Sequence, residues 1–178
     1  MSTSEKAIIG LVNPKNPSNV GAVLRAAGCF GAADIVYTGT RYARAAAYAK
    51  GHGRTSHSDT NNASAHISLN HSEDLIAERE ANMKIVCVEL VEGATALPSF
   101  SHPEQALYIF GPEDGSIPQS IIDQADEVVF MPTIGCLNLA ATVNVLLYDR
   151  VAKQTNFANN DALIKQSRDK NNRLTKPK

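Results

Sequence analysis

Three short polar segments of the 178-residue chain carry side chains suited to binding or reacting with a ligand. The first contains Asn19 and Arg25, the second Glu113, and the third Asn138. A guanidinium group grips phosphate through a planar fork of donors. Carboxamide and carboxylate groups can hold such a fork, or a helix terminus, by hydrogen bonds. These residue types therefore indicate a candidate ligand site with an arginine at its centre.

Short apolar runs alternate with helical patterns along most of the chain. The runs are rich in β-branched residues and nearly continuous, which is typical of strands covered on both faces. The predicted strands are Ala7–Val12, Asp34–Tyr37, Lys84–Glu89, Ala106–Phe110 and Glu127–Met131. The predicted helices are Asn19–Phe30, Arg41–Lys50, Ser72–Ala81, Pro118–Gln124 and Leu139–Gln154. This alternation predicts an α/β fold with an open, mostly parallel sheet and helices on both faces.

The three polar segments each follow a predicted strand. Because ligands bind beyond the carboxyl ends of parallel strands, we expect these turns to lie close together. Asn19 and Asn138 each suit the cap of the helix that follows them. The turns read NPKNPSNVG from Asn13, GPEDGSIP from Gly111 and PTIGCLNL from Pro132.

Taken together, the motifs resemble the SPOUT superfamily of S-adenosylmethionine-dependent RNA methyltransferases, in its SpoU/TrmH branch. The matching patterns are Asn19-x-Gly21-x3-Arg25, Phe110-Gly111-Pro112-Glu113-x-Gly115 and Leu137-Asn138. They stand in the family's order within residues 7–150. One position departs from the family, because Cys136 stands where a serine is usual, and a thiol is the weaker hydrogen-bond donor.

The resemblance implies a C-terminal trefoil knot, S-adenosylmethionine as cofactor, and a homodimer with the active site near the subunit interface. It assigns the catalytic arginine to Arg25, within a polar shell of Asn19, Glu113 and Asn138. It also implies that the cofactor contacts four positions, which are Glu89, Gly111, Met131 and Leu137. The implied reaction is methyl transfer to a ribose 2′-hydroxyl.

Two roles are open for Arg25 in this reaction. The first is a general base for the hydroxyl, and the second is a charged group that orients the hydroxyl and its phosphate. A guanidinium group keeps its proton in nearly all proteins, so the orienting role fits its chemistry better.

The net charge of −1 conceals an uneven distribution along the sequence. Residues 150–178 carry eight basic and two acidic residues, while residues 1–149 carry a net charge of −7. We divide the chain into a methyltransferase domain, 1–155, and a basic tail, 156–178, that is a solvated segment or an RNA contact. Small family members of this kind act mostly on tRNA, so tRNA is favoured over rRNA.

The sequence also bears on several other classes of protein. A non-catalytic RNA-binding protein of the same fold is an alternative to the enzyme. A dinucleotide-dependent oxidoreductase is rejected, because Gly21, Gly28 and Gly31 do not form G-x-G-x-x-G after a strand. No apolar run is long enough to span a membrane, and the histidines between His52 and His71, including His57, lack metal-ligand spacing. The three cysteines fit reduced thiols in a cytoplasmic protein.

Overall fold

The computed structural model describes residues 5–52, 65–155, 160–168 and 171–176. In this part of the chain the strands are β1 (Lys6–Leu11), β2 (Asp34–Tyr37), β3 (Ser68–His71), β4 (Lys84–Val88), β5 (Thr95–Ala96), β6 (Gln105–Phe110) and β7 (Glu127–Phe130). The helices are α1 (Pro17–Phe30), α2 (Arg41–Gly51), α3 (Gln119–Ile122), α4 (Leu139–Gln154) and α5 (Asn160–Ser167). Single 3₁₀ turns lie at Ile76–Glu78 and Leu97–Ser99.

The strands form one sheet in the order β3-β2-β1-β6-β4-β7-β5. Every strand pair among the described residues is parallel. Leu11 and Val88 both lie level with Phe110, and Val88 also lies level with Val129. The carboxyl ends of β1, β6, β4 and β7 therefore lie side by side at one edge. The predicted α/β class with a parallel sheet is confirmed, while the trefoil knot stays an implication of the family resemblance.

Helices cover both faces of the sheet, as predicted. On one face, α1 and α4 pack through buried residues such as Val20, Val23 and Val143 against alternate residues of the central strands. The opposite face is covered by Leu75, Met83 and Ile117, with the partly buried isoleucines of α3 beside them. Alternation along β6 places Tyr108 in the first layer and Ile109 in the second.

Three features of the secondary structure differ from the sequence prediction. The predicted helix Ser72–Ala81 is wrong, because only the 3₁₀ turn Ile76–Glu78 forms there. Side-chain oxygens of Ser72 and Asp74 accept backbone N–H groups two residues on, which holds the chain in turns instead of a helix. The edge strands β3 and β5 were not predicted, since one is polar and the other has only two residues.

Helix α1 begins earlier than predicted. Asn16 is its N-cap, with the side-chain oxygen accepting the Ser18 N–H at 2.8 Å, and Pro17 occupies the first turn. The expectation that Asn19 caps this helix is therefore wrong. Asn19 lies inside the first turn, where its amide is available for contacts with other loops. Asn138 does cap α4, accepting from the Ala140 N–H at 2.8 Å.

Beyond α4 lies the predicted tail. The short helix α5 within it buries none of its residues. The domain boundary itself, placed after residue 155, stays a prediction.

A buried polar network joins α4 to β6 at the amino end of the strand. The His102 ring is fully buried, with Nδ1 2.7 Å from the Tyr108 hydroxyl and Nε2 2.8 Å from Asp149 Oδ2. Arg150 donates to the same hydroxyl at 2.9 Å and to the Pro103 carbonyl at 2.6 Å. This pattern fits a neutral His102 that accepts from tyrosine and donates to aspartate.

We expect acid to destabilise the fold through His102. Burial lowers the pKa of His102 below its ordinary value of 6.5, against the raising effect of its hydrogen bond to Asp149. Between the folded pKa and about pH 6.5, His102 is protonated in the unfolded chain but not in the folded chain. The free energy of unfolding therefore falls as pH drops below about 6.5 and levels off below the folded pKa. Urea unfolding between pH 7.5 and 5 measures this dependence.

The control is the exposed histidine of β3. His71→Gln should keep the acid dependence of the wild type, whereas His102→Gln should be less stable at pH 7.5 but lose part of that dependence. Equal pH slopes for the wild type and His102→Gln would contradict the assignment.

Candidate active site

The loops that follow β6, β4 and β7 surround one pocket at the carboxyl edge of the sheet. Its volume is about 590 Å³, within the range of sites for small organic molecules. Val88, Phe110 and Phe130, the last residues of the three strands, form part of its wall. Seven of the eight predicted site residues line it: Asn19, Glu89, Gly111, Glu113, Met131, Leu137 and Asn138.

Glu113 holds the start of α1 against the second loop. Its carboxylate accepts the backbone N–H groups of Lys15 at 2.8 Å and Asn16 at 3.0 Å. It also accepts the side-chain amide of Asn19 at 3.0 Å. Three donors from one turn therefore converge on one carboxylate, which sets the position of α1 relative to the pocket.

The same chain of hydrogen bonds continues to the third loop. Asn138 donates from its side-chain amide to Asn19 Oδ1 at 3.0 Å. The oxygen of the Asn138 amide is occupied by the first N–H groups of α4. Glu113, Asn19 and Asn138 thus link three segments that are far apart in the sequence.

The electrostatics of Glu113 favour the ionised form. Burial raises the pKa of this carboxyl, but hydrogen bonds from the Asn19 side chain and from backbone N–H groups outweigh it and leave the pKa below 4.5. The carboxylate is therefore charged at neutral pH. The stability that it contributes is present above pH 4.5 and is lost as pH falls through its folded pKa.

Glu89 shapes the other side of the pocket. One carboxylate oxygen accepts the Leu90 N–H at 2.9 Å and the other accepts the Ile117 N–H at 3.0 Å. A side chain at Gly111 would place its Cβ 3.1 Å from that second oxygen and 3.2 Å from the Ile117 nitrogen. These distances are tighter than ordinary van der Waals contact, so glycine favours the close approach of the two loops.

Residues 6–148 match the model of the SpoU rRNA Methylase family. This match covers more than half of the chain. The chain belongs to the SpoU rRNA methylase family. No curated protein sequence gives a significant match.

Solved structures of SpoU-type proteins share the fold. The AdoMet-bound rRNA methyltransferase from Sinorhizobium meliloti aligns over 86% of this chain and 59% of its own length, with a TM-score of 0.65 and 20% identity. The A. aeolicus TrmH/SpoU tRNA modifying enzyme aligns over 84% and 75%, with a TM-score of 0.67 and 16% identity. A structure concerned with the 2-OH methylation of C/U34 on tRNA aligns over 84% and 91%, with a TM-score of 0.64 and 19% identity.

The exception among the predicted site residues of this SpoU-family chain is Arg25. It is exposed on α1 and is not part of the pocket wall. It follows Asn19 by six residues, about 9 Å along the helix axis and on a different side. Within one chain the structure therefore does not bring Arg25 together with the other seven residues.

Residues outside the eight predicted site residues also line the pocket, among them Asp114 and Cys136. Asp114 lines it and pairs with Arg41 at 2.7 Å and Lys15 at 3.3 Å. Cys136 also lines it and is exposed. The adjacent carboxylates Glu113 and Asp114 were a visible signal, but their partners come from other loops and could not be identified locally.

Two further observations on the described segments concern metal binding and membrane-spanning helices. They contain no group of three or more His, Cys, Asp or Glu residues arranged to hold a metal ion. His57 lies outside them. No described helix is long and apolar enough to cross a membrane.

Proposed function

We propose that this chain transfers the methyl group of S-adenosylmethionine to a ribose 2′-hydroxyl of RNA. The observation that carries the proposal is the single pocket lined by seven of the eight residues implied by the family motifs. Its walls combine aromatic and aliphatic strand ends with polar loop residues, which suits a nucleoside joined to a charged amino-acid group. When bound, the cofactor supplies an electrophilic methyl group.

The residues of the chain would act mainly by positioning. Phe110 and Val88, the last residues of β6 and β4, line the pocket, and Gly111 lies beside them without a side chain. The Glu113–Asn19–Asn138 chain holds the substrate side of the pocket in one geometry. Orienting two reactants lowers an activation barrier by about 7–11 kcal/mol, so positioning of this kind can supply much of the acceleration of methyl transfer.

Arg25 would stabilise the hydroxyl oxygen as that oxygen loses its proton to water and develops negative charge. A guanidinium group that keeps its proton is suited to this electrostatic role and to gripping the adjacent phosphate. Because Arg25 does not line the pocket of its own chain, we infer that it serves the pocket of a second copy.

A homodimer is part of the proposal. On α4, Val145 and Tyr148 are 42% and 65% exposed, although both are apolar or aromatic. Tyr148 contacts Phe30 of α1 edge to face, with the ring centroids 6.5 Å apart, and Cys29 beside it is exposed. Arg25 also lies on α1, so a second copy packed against this exposed surface of α1 and α4 would approach that residue.

Transfer RNA is the favoured substrate. The structure concerned with tRNA methylation is matched over 91% of its length, whereas the S. meliloti rRNA methyltransferase is matched over 59%. The alignment therefore spans nearly all of the first protein and a little over half of the second. Ribosomal RNA is the second candidate substrate.

Two measurements test the proposal. Calorimetry should detect S-adenosylmethionine binding to the purified chain, and its absence would leave the non-catalytic RNA-binding protein. Incubation with the cofactor and with unmodified tRNA or rRNA, followed by nucleoside mass spectrometry, should yield a 2′-O-methylnucleoside in tRNA. If the 2′-O-methylnucleoside is found only in rRNA, the substrate is the second candidate, ribosomal RNA.

A further inference from the structure

Helix α2, which follows β2, is more exposed than α1 and α4. None of its eleven residues is buried. It carries Arg41, Arg44 and Lys50 and no acidic residue. Its attachment to the sheet runs through Tyr42, whose ring meets that of Tyr37 edge to face at 5.1 Å.

Its chemistry-bearing side chains are concentrated on one side. Arg41, Arg44, Tyr48 and His52 are spaced three, four and four residues apart, so they form a single stripe along the helix. Lys50 lies on the opposite side. The stripe extends over about 16 Å, from the rise of 1.5 Å per residue.

The far end of the stripe presents a pair of rings to solvent. The Tyr48 and His52 ring centroids are 4.2 Å apart with an interplanar angle of 32°. Tyr48 is 66% exposed, and His52 Nδ1 lies 2.9 Å from the Tyr48 carbonyl oxygen, which holds the second ring in place. Such a pair offers a flat face on which a base can stack.

The near end of the stripe touches the pocket. Arg41 pairs with Asp114 at 2.7 Å, and Asp114 is part of the pocket wall. Lys15 approaches the same carboxylate at 3.3 Å. The stripe therefore begins at the rim of the pocket and runs away from it.

We propose that this stripe of α2 binds the RNA strand next to the methylated nucleotide. Arg41 and Arg44 contact backbone phosphates, and the Tyr48–His52 pair stacks on an unpaired base. The inference rests on the proposed function, whose pocket supplies the position of the target nucleotide. An apolar protein partner or a lipid surface fits less well, because the exposed side of α2 has alanines between its cations and no large aliphatic residue.

The test uses the full-length chain and fluorescein-labelled RNA. Fluorescence anisotropy measures the affinity of Arg44→Ala, Tyr48→Ala and Tyr48→Phe for unmodified tRNA and for a single-stranded oligonucleotide at several salt concentrations. Lys50→Ala is the matched control, because it removes an exposed cation from the opposite side of the same helix. Calorimetry with S-adenosylmethionine checks that the pocket is intact in each variant.

The expected results differ between the variants. Arg44→Ala should weaken binding and reduce the slope of log affinity against log salt by about 0.7–1. Tyr48→Ala should weaken binding about five- to hundredfold with little change in that slope, and Tyr48→Phe should bind like the wild type. Lys50→Ala should affect affinity least.

Failure of this inference is separable from failure of the proposed function. If wild-type chain binds no RNA, or if Lys50→Ala weakens binding as much as Arg44→Ala and Tyr48→Ala, the stripe is not the RNA surface. If the stripe variants lose RNA affinity but the wild type methylates nothing, the inference stands and the catalytic proposal fails. If Arg44→Ala and Tyr48→Ala keep the RNA affinity of the wild type and instead lose affinity for a protein partner, the inference is also overturned.

Discussion

An Arg25→Ala variant is expected to lose methyl transfer by about a hundred- to a thousandfold while binding S-adenosylmethionine with unchanged affinity. The size of the loss is typical for removal of one group that stabilises developing charge. The cofactor affinity should hold because Arg25 is exposed on α1 and is not part of the pocket wall. Single-turnover transfer to tRNA and calorimetry measure the two quantities.

Two further variants sharpen the Arg25 result. Arg25→Lys keeps the charge but loses the planar fork, so it should recover only part of the rate. Arg79→Ala removes another arginine, one that pairs with Asp126 at 3.6 Å beside the amino end of β4, and should transfer methyl groups like the wild type. Wild-type turnover by Arg25→Ala would remove this residue from the mechanism.

A Glu113→Gln variant is expected to lose both stability and activity. The carboxylate accepts three hydrogen bonds from Lys15, Asn16 and Asn19, and a glutamine amide would turn a donor toward at least one of these donors. An unpaired, partly buried donor lowers the free energy of unfolding by about 1–3 kcal/mol. This corresponds to a fall in Tm of roughly 3–10 °C for a chain of this size. Displacement of Asn19 by about 1 Å should lower the rate about a hundredfold.

The neighbouring carboxylate provides the control for Glu113. Asp114 is exposed and pairs with the side chains of Lys15 and Arg41. Asp114→Asn should therefore leave Tm close to that of the wild type. A Tm for Glu113→Gln equal to that of Asp114→Asn would show that the Glu113 contacts do not hold α1.

Mixing the two inactive variants tests whether Arg25 acts across the proposed dimer. In a mixed dimer of Arg25→Ala and Glu113→Gln chains, one pocket combines an intact Glu113 with the Arg25 of the other copy. Activity should then return in the mixture. If Arg25 served its own chain, both pockets would stay defective and no activity would return.

The sequence alone predicted the α/β class and the loops that form the pocket. The alternation of buried strands with helices is local information, and the carboxyl ends of parallel strands meet at one edge whatever their order. Gly111 and Asn138 could therefore be placed at that edge from their position after predicted strands, and Met131 from its position at the end of one. The incorrect helix prediction for Ser72–Ala81 also has a local cause, since Ser72 and Asp74 favour turns through hydrogen bonds from their side chains to the backbone.

Only the tertiary structure decided which groups touch. The order β6-β4-β7 makes three distant strand ends neighbours, and it brings Glu113 to a donor that is 94 residues away in the sequence. In the structure Asn19 does not cap α1 but lies in the middle of a hydrogen-bond chain, and Arg25 lies outside the pocket of its own chain. The tertiary structure also buried His102 against Tyr108. Such contacts depend on how strands are ordered and how helices are rotated on the sheet, and those choices are made by packing across the whole core, which no local pattern records.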